Sequence, residues 1–158
     1  MNKKTKYLVQ SGVIAAIYVV LAQVFGFMGF GPIQFRIAEA LTVLPFFTPA
    51  AIPGVFIGCL LANILYGGVL LDVVFGSLTT LLAAYLSYRL RKNKWMVTVP
   101  PILLNAAIIP FVLKYGYGVP DGIPFMMGTI FIGQFIVVGI IGMVLLHALL
   151  PLKDKIFQ

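Results

Sequence analysis

"MNKKTKYLVQSGVIAAIYVVLAQVFGF", residues 1–27, decides the class of fold. Three lysines, Lys3, Lys4 and Lys6, precede an apolar run that continues to Phe30 without a charged residue. A helix of about 20 such residues crosses a bilayer. The run is too long for a signal-peptide core, and no small-residue cleavage site stands out, so a retained first span is expected. The rest of the chain has the same character. Of its 158 residues, 61% are hydrophobic and 9% charged, against about 25% charged in soluble proteins. Mean hydropathy is +1.09. The expected fold is an all-α integral membrane protein, a compact bundle of six transmembrane helices.

Breaker residues divide the chain. A single six-span membrane domain over 1–158 is expected, with spans at about 7–30, 33–48, 50–66, 70–90, 96–115 and 123–150. "GFMGFGP" ends the first, and Pro45, Pro49, Pro53 and Gly54 separate the second from the third. Proline is tolerated at a helix start but not inside. Gly67-Gly68, the basic connector "RLRKNKW" and the loop "GYGVPDGIP" mark the remaining turns. No repeat or low-complexity tract is visible.

Charge sets the expected orientation. Lys3, Lys4 and Lys6, then Arg89, Arg91, Lys92 and Lys94, then Lys153 and Lys155 fall on one side, and only Arg36 and Lys114 on the other. The positive-inside rule then puts both termini in the cytoplasm. The net charge of +7 therefore reflects topology, and no nucleic-acid partner is expected. Trp95 reads as an interfacial anchor. The single cysteine, Cys59, permits no internal disulfide and reads as a small buried residue.

With that orientation the polar residues converge. Arg36 and Glu39 open span two, Asn63 is late in span three, Asp72 early in span four, Asn105 mid-span five, and Gln134 well into span six. All lie in the outer half or the middle. Polar groups in lipid are costly and normally face a bundle interior or an aqueous cavity. One polar contribution from each of five spans, at similar depth, fits an outward-facing pocket for a polar small molecule. Each residue also has a plainer reading. Arg36 and Glu39, three apart, share a helix face and would form an ion pair. Asp72 would cap a helix, and Asn63, Asn105, Gln134 and Gln23 would join helices by hydrogen bonds. His147 reads as interfacial. Tyr66, Tyr115 and Tyr117 suit an aromatic belt or would stack on a flat ligand.

In span one, Ser11, Gly12, Ala15 and Ala16 form two overlaid small-x-x-x-small pairs. That spacing admits a close helix neighbour, either from this chain or from a docking partner. The chain lacks a phosphate-binding G-x-x-x-x-G-K-[ST] motif and the hydrolase motifs H-E-x-x-H and G-x-S-x-G. One histidine and one cysteine argue against a metal site, and no cofactor is expected.

Residues 33–45, "IQFRIAEALTVLP", closely resemble the signature of the QueT family of queuosine-precursor transporters. The likeness extends to chain length, the six-span plan, "SGVIAAIYVVLA" and "LLDVVFGSLTTLLAAYLSY". The span-two motif is its specific part. The resemblance implies a substrate-binding S component of an energy-coupling factor transporter in the bacterial cell membrane, not an enzyme. It would capture 7-aminomethyl-7-deazaguanine, 7-cyano-7-deazaguanine or queuine, and dock on a transmembrane coupling subunit carrying two ATPases. The small-residue face of span one resembles the docking surface of such components. Glu39 would accept the two donors of a guanine-like edge, with Arg36 on the ring carbonyl or holding Glu39. Asp72 would receive a cationic aminomethyl group, while Asn63, Asn105 and Gln134 complete the ring contacts. The alternatives are an S component for another nutrient such as a vitamin, a small membrane enzyme using Glu39 and Asp72 as acid and base, and a scaffold subunit without a ligand.

Overall fold

The structure is a computed structural model and describes residues 2–29 and 34–157. All regular structure in those residues is helical. Helix α1 (Lys3–Val24) is followed by a short 3-10 turn, Gly26–Gly29. A 3-10 helix, Ile37–Phe46, leads to α2 (Ala51–Leu65). Leu70 to Arg89 is one continuous helical rod, made of a π segment, Asp72–Gly76, and α3 (Ser77–Arg89). Then come α4 (Val99–Gly116) and α5 (Ile123–Gln134). A second π segment, Phe135–Gly142, runs into α6 (Met143–Leu149), a 3-10 turn, Leu150–Leu152, and the short α7 (Lys153–Ile156). Phe30 and Ile33, the expected borders of the first two spans, lie outside the described residues.

Among the described residues, three helices are long and apolar enough to cross a membrane: Lys3–Val24, Val99–Gly116 and the continuous Ile123–Ile156. Their outward faces carry large apolar side chains, among them Leu8, Val20, Leu103, Phe111, Ile132 and Val144. Such a girdle suits lipid contact. The Leu70–Arg89 rod is more polar, and three of its hydroxyls have acceptors within the rod, while Ser87 Oγ donates to the Val97 carbonyl at 2.7 Å. Ser77, Thr79 and Thr80 donate to the carbonyls of Val73, Phe75 and Gly76, four residues back, at 2.6, 2.6 and 3.2 Å.

The second span departs from expectation. Where a regular α-helix carrying Arg36 and Glu39 on one face is expected, Arg36 is non-helical (φ −88°, ψ 81°) and ten residues of 3-10 helix follow it. Runs beyond three or four residues of this tighter helix are uncommon. Crowding on every side accounts for it. Ala38 to Pro45 are all buried, ringed by α1, α2, α3, the second π segment and α6. A Cβ at Gly142 would meet Val43 Cγ1 at 2.9 Å, so that neighbour comes in as close as a glycine permits. This segment is the central strut of the bundle.

The α1–α2 crossing divides the small-residue motif. Ser11, Ile14, Ala15 and Tyr18 form the buried stripe of α1, and α2 meets it with Gly54 and Gly58. A Cβ at Gly54 would lie 3.0 Å from Ser11 O, and one at Gly58 would lie 3.1 Å from Ala15 O. Ser11 Oγ is 2.9 Å from the carbonyl of Ala50. Ser11 and Ala15 therefore serve packing within the chain, which corrects their assignment to a partner-docking face. Gly12 and Ala16 are exposed.

Candidate functional site

A cavity of about 570 Å³ opens at the end of the bundle away from the basic connector. It is built from element ends. Its wall draws on the last turns of α1, α2 and α4, the start of the central strut, the first π segment and the first turns of α5. Apolar side chains such as Leu21, Phe35, Ile109 and Met126 form much of the wall, and its polar groups include Tyr18, Gln34, Arg36, Asn63, Asp72, Tyr117 and Asp121. Arg36 is the single Lys or Arg in that lining, against two carboxylates.

The polar wall is linked. Arg36 Nη2 donates to Asn63 Oδ1 at 3.2 Å, and Asn63 Nδ2 donates to the Asp72 carbonyl at 3.2 Å. Tyr117 Oη donates to Asp72 Oδ2 at 2.8 Å. Burial and this bond to a carboxylate push the Tyr117 hydroxyl up to about 12, so it stays a donor at neutral pH. Gly76 keeps the corner open, since a Cβ there would meet Asp72 Oδ1 at 2.5 Å and Asn63 Nδ2 at 3.3 Å.

Arg36 and Glu39 go to different partners, which removes the simple ion pair. Arg36 sits on non-helical backbone just before the 3-10 helix, and it lines the cavity. Glu39 lies behind that wall with no exposed surface. Its Oε1 accepts from Tyr18 Oη at 2.5 Å and from Thr80 Oγ1 at 3.2 Å. Asn105 and Gln134 are also buried and outside the lining. Each belongs to a helix whose next turn toward the open end, at Ile109 and Ile130, does line the cavity. Asn105 Nδ2 donates to the Pro101 carbonyl at 2.8 Å. The expected site residues thus form two tiers, with Arg36, Asn63 and Asp72 on the wall and Glu39, Asn105 and Gln134 buried beyond it. Gln23 is exposed and off the lining.

One property unites both tiers. Among the described residues, the buried side-chain N and O atoms without a hydrogen-bond partner are Glu39 Oε2, Asp72 Oδ1, Asn105 Oδ1 and Gln134 Oε1. All four are acceptors. Native proteins leave few such groups, because each costs free energy of desolvation. These four gather at and beneath one cavity.

Irregular backbone accompanies these residues. Glu39 is on the long 3-10 helix, Asp72 begins the first π segment, and Gln134 immediately precedes the second. Departures of this kind inside helices gather at functional sites. Sequence reasoning missed Tyr18, Thr80 and Asp121. A signal for Tyr18 was present: it follows Ser11 and Ala15 on the same helical stripe.

A family model described as QueT transporter matches residues 8–151. A relative named queuosine precursor transporter QueT, from Lactococcus lactis subsp. cremoris (strain MG1363), is 40% identical over 82 residues. That stretch covers 51% of this chain and 48% of the relative, about half the length of each. No solved structure matches the chain.

Proposed function

The chain belongs to the QueT transporter family, and on that premise we propose that it is the substrate-binding S component of an energy-coupling factor importer. Its cargo is a 7-deazaguanine-type queuosine precursor. Its six spans form one membrane domain with both termini in the cytoplasm, which opens the cavity to the outside. Membership of a transporter family speaks against the membrane-enzyme alternative.

The observation that supports the reading is where the unpartnered acceptors among the described residues gather: Asp72 Oδ1 on the cavity wall, and Glu39 Oε2, Asn105 Oδ1 and Gln134 Oε1 buried beyond it. A deazaguanine brings donors to such an acceptor-rich end of the bundle. It has a ring N–H and an exocyclic amine on one edge and a pyrrole N–H on the other, and the aminomethyl form adds an ammonium. Its one strong acceptor, the ring carbonyl, suits Arg36. Asp72 Oδ1 takes the ammonium, with Asn63 holding Arg36 and Asp72 in register. Adenine-like bases offer an acceptor where the site also accepts, and unpaired buried groups discriminate strongly.

Gly12 and Ala16, on the open side of α1, are the proposed contact for the coupling subunit, which brings two ATPases. Replacing both with leucine should stop co-purification with that subunit and leave ligand binding unchanged.

Native mass spectrometry of the purified chain, followed by competition between deazaguanines and vitamins, tests the assignment. Retention of a deazaguanine and its displacement by deazaguanines alone is expected. Displacement by a vitamin alone would identify an S component of another specificity, and turnover of the bound molecule would return the enzyme reading.

A further inference from the structure

Glu39 treats its two oxygens unequally. Oε1 has two hydroxyl donors within reach, Tyr18 Oη at 2.5 Å and Thr80 Oγ1 at 3.2 Å, while Oε2 is buried without a partner. The two donors also differ. Thr80 Oγ1 is equally close to the Gly76 carbonyl, at 3.2 Å, and 3.5 Å from Cys59 Sγ, so its one proton is shared among choices. The Tyr18 hydroxyl donates to Glu39 Oε1 and otherwise meets only the Cys59 thiol, a weak hydrogen-bonding group, among the described residues.

Tyr18 is also the member of this trio that lines the cavity, whereas Glu39 and Thr80 do not. Its placement is rigid. The residue is 2% exposed, and α2 gives it room through Gly58, where a Cβ would meet Tyr18 Cβ at 2.6 Å and Cγ at 2.9 Å.

We infer that Tyr18 is the residue through which Glu39 acts on the ligand. It is a positioning and specificity residue whose hydroxyl, committed as a donor to Glu39, faces the cavity only as an acceptor. The inference rests on the deazaguanine reading and deepens it. A phenol has one proton and two lone pairs. Once the proton is held by the carboxylate, a ligand can only donate to that oxygen. Donation to an anion also strengthens the phenol oxygen as an acceptor. Glu39 thereby imposes its preference for donors on a cavity it does not touch. The same logic explains a buried carboxylate at the centre of an apolar bundle, since its charge fixes the direction of one hydrogen bond at the cavity floor.

The test uses the purified full chain with two ligands, 7-aminomethyl-7-deazaguanine and its analogue lacking the exocyclic 2-amine. Tyr18→Phe keeps the ring and removes the hydroxyl. It should weaken the amine-bearing ligand about tenfold or more, the scale of a hydrogen bond to a charged network, and change the deamino analogue much less. Glu39→Gln should produce the same selective loss. The double variant should be no worse than either single one, because both act through one bond. A merely structural role would weaken both ligands alike. Equal losses, additive losses or unchanged affinity in Tyr18→Phe would overturn the inference. If Tyr18→Phe does not fold, Thr80→Val removes the second donor to the same oxygen and should give a smaller loss with the same selectivity; equal loss for both ligands would again count against it. Failure of the parent reading looks different, because the unmodified chain would then bind neither ligand.

Discussion

The cavity end of the bundle and the α1–α2 crossing solve opposite problems. At the crossing, small residues on both helices bring two regular α-helices together, and Ser11 satisfies its hydroxyl on the Ala50 carbonyl at 2.9 Å. At the cavity end the backbone is irregular, turning 3-10 at Glu39 and π at Asp72 and after Gln134. Among the described residues, four buried acceptors there have no partner. The difference teaches that order and satisfaction are separable in a membrane bundle. One region is satisfied within itself, while the other leaves buried acceptors unpartnered among the described residues.

Substitutions can break that contrast. The largest effect is expected from Arg36→Ala, which removes the one cation of the cavity lining. Deazaguanine affinity should fall about a hundredfold, the upper range for a charged hydrogen bond, with little change in detergent melting temperature. A comparable drop in melting temperature would mean that Arg36 is structural. Gly54→Leu should do the reverse. A side chain there must displace Ile14 Cβ, 2.9 Å from the position its own Cβ would take, and overpacking costs about 1–3 kcal/mol. The folded fraction should nevertheless bind with unaltered affinity, and a loss of affinity would show that the two regions are not separable.

Asp72→Asn sharpens the comparison within the cavity. About a tenfold loss is expected for the aminomethyl ligand, and a much smaller one for the cyano form, which carries no ammonium. Equal losses would remove Asp72 from the amine subsite. The smallest effect belongs to Tyr117→Phe, which deletes one donor to Asp72 and should weaken binding only a few-fold. The pH dependence follows. With its hydroxyl pushed up to about 12, Tyr117 contributes no titration to ligand affinity across the neutral range. Above that value a phenolate would face the Asp72 carboxylate, and affinity should decline. A tyrosine-dependent step near pH 10, absent in Tyr117→Phe, would contradict this.

Much of this molecule was legible before any coordinates. Apolar runs and Pro/Gly breaks located helical segments because burial in lipid leaves the backbone few other options. Polar residues at similar depth pointed to one end, since lipid makes stray polarity expensive. What was not legible is which side of a residue faces what. Arg36 and Glu39 read as a pair on a regular α-helix, whereas one non-helical residue followed by 3-10 winding sends them to different partners. Ser11 and Gly12 are adjacent, yet one is packed inside and the other exposed, a distinction that depends on where Gly54 and Gly58 arrive. Tyr18 was hidden among similar apolar neighbours, because its role depends on a carboxylate 21 residues away.

The central strut has one more consequence, and it concerns length. Ten residues wound as a 3-10 helix reach about 20 Å, at roughly 2.0 Å per residue. The same ten wound as an α-helix would reach only about 15 Å, at 1.5 Å per residue. The tighter winding acts as a ruler, carrying the chain across the middle of the bundle in fewer residues than its neighbours use. Deleting one alanine from Ile37–Phe46 would therefore shorten the reach by about 2 Å. It would also rotate everything before the deletion by a third of a turn relative to everything after it. Spacing along this segment is constrained as tightly as composition, and family members that vary there should keep its residue count.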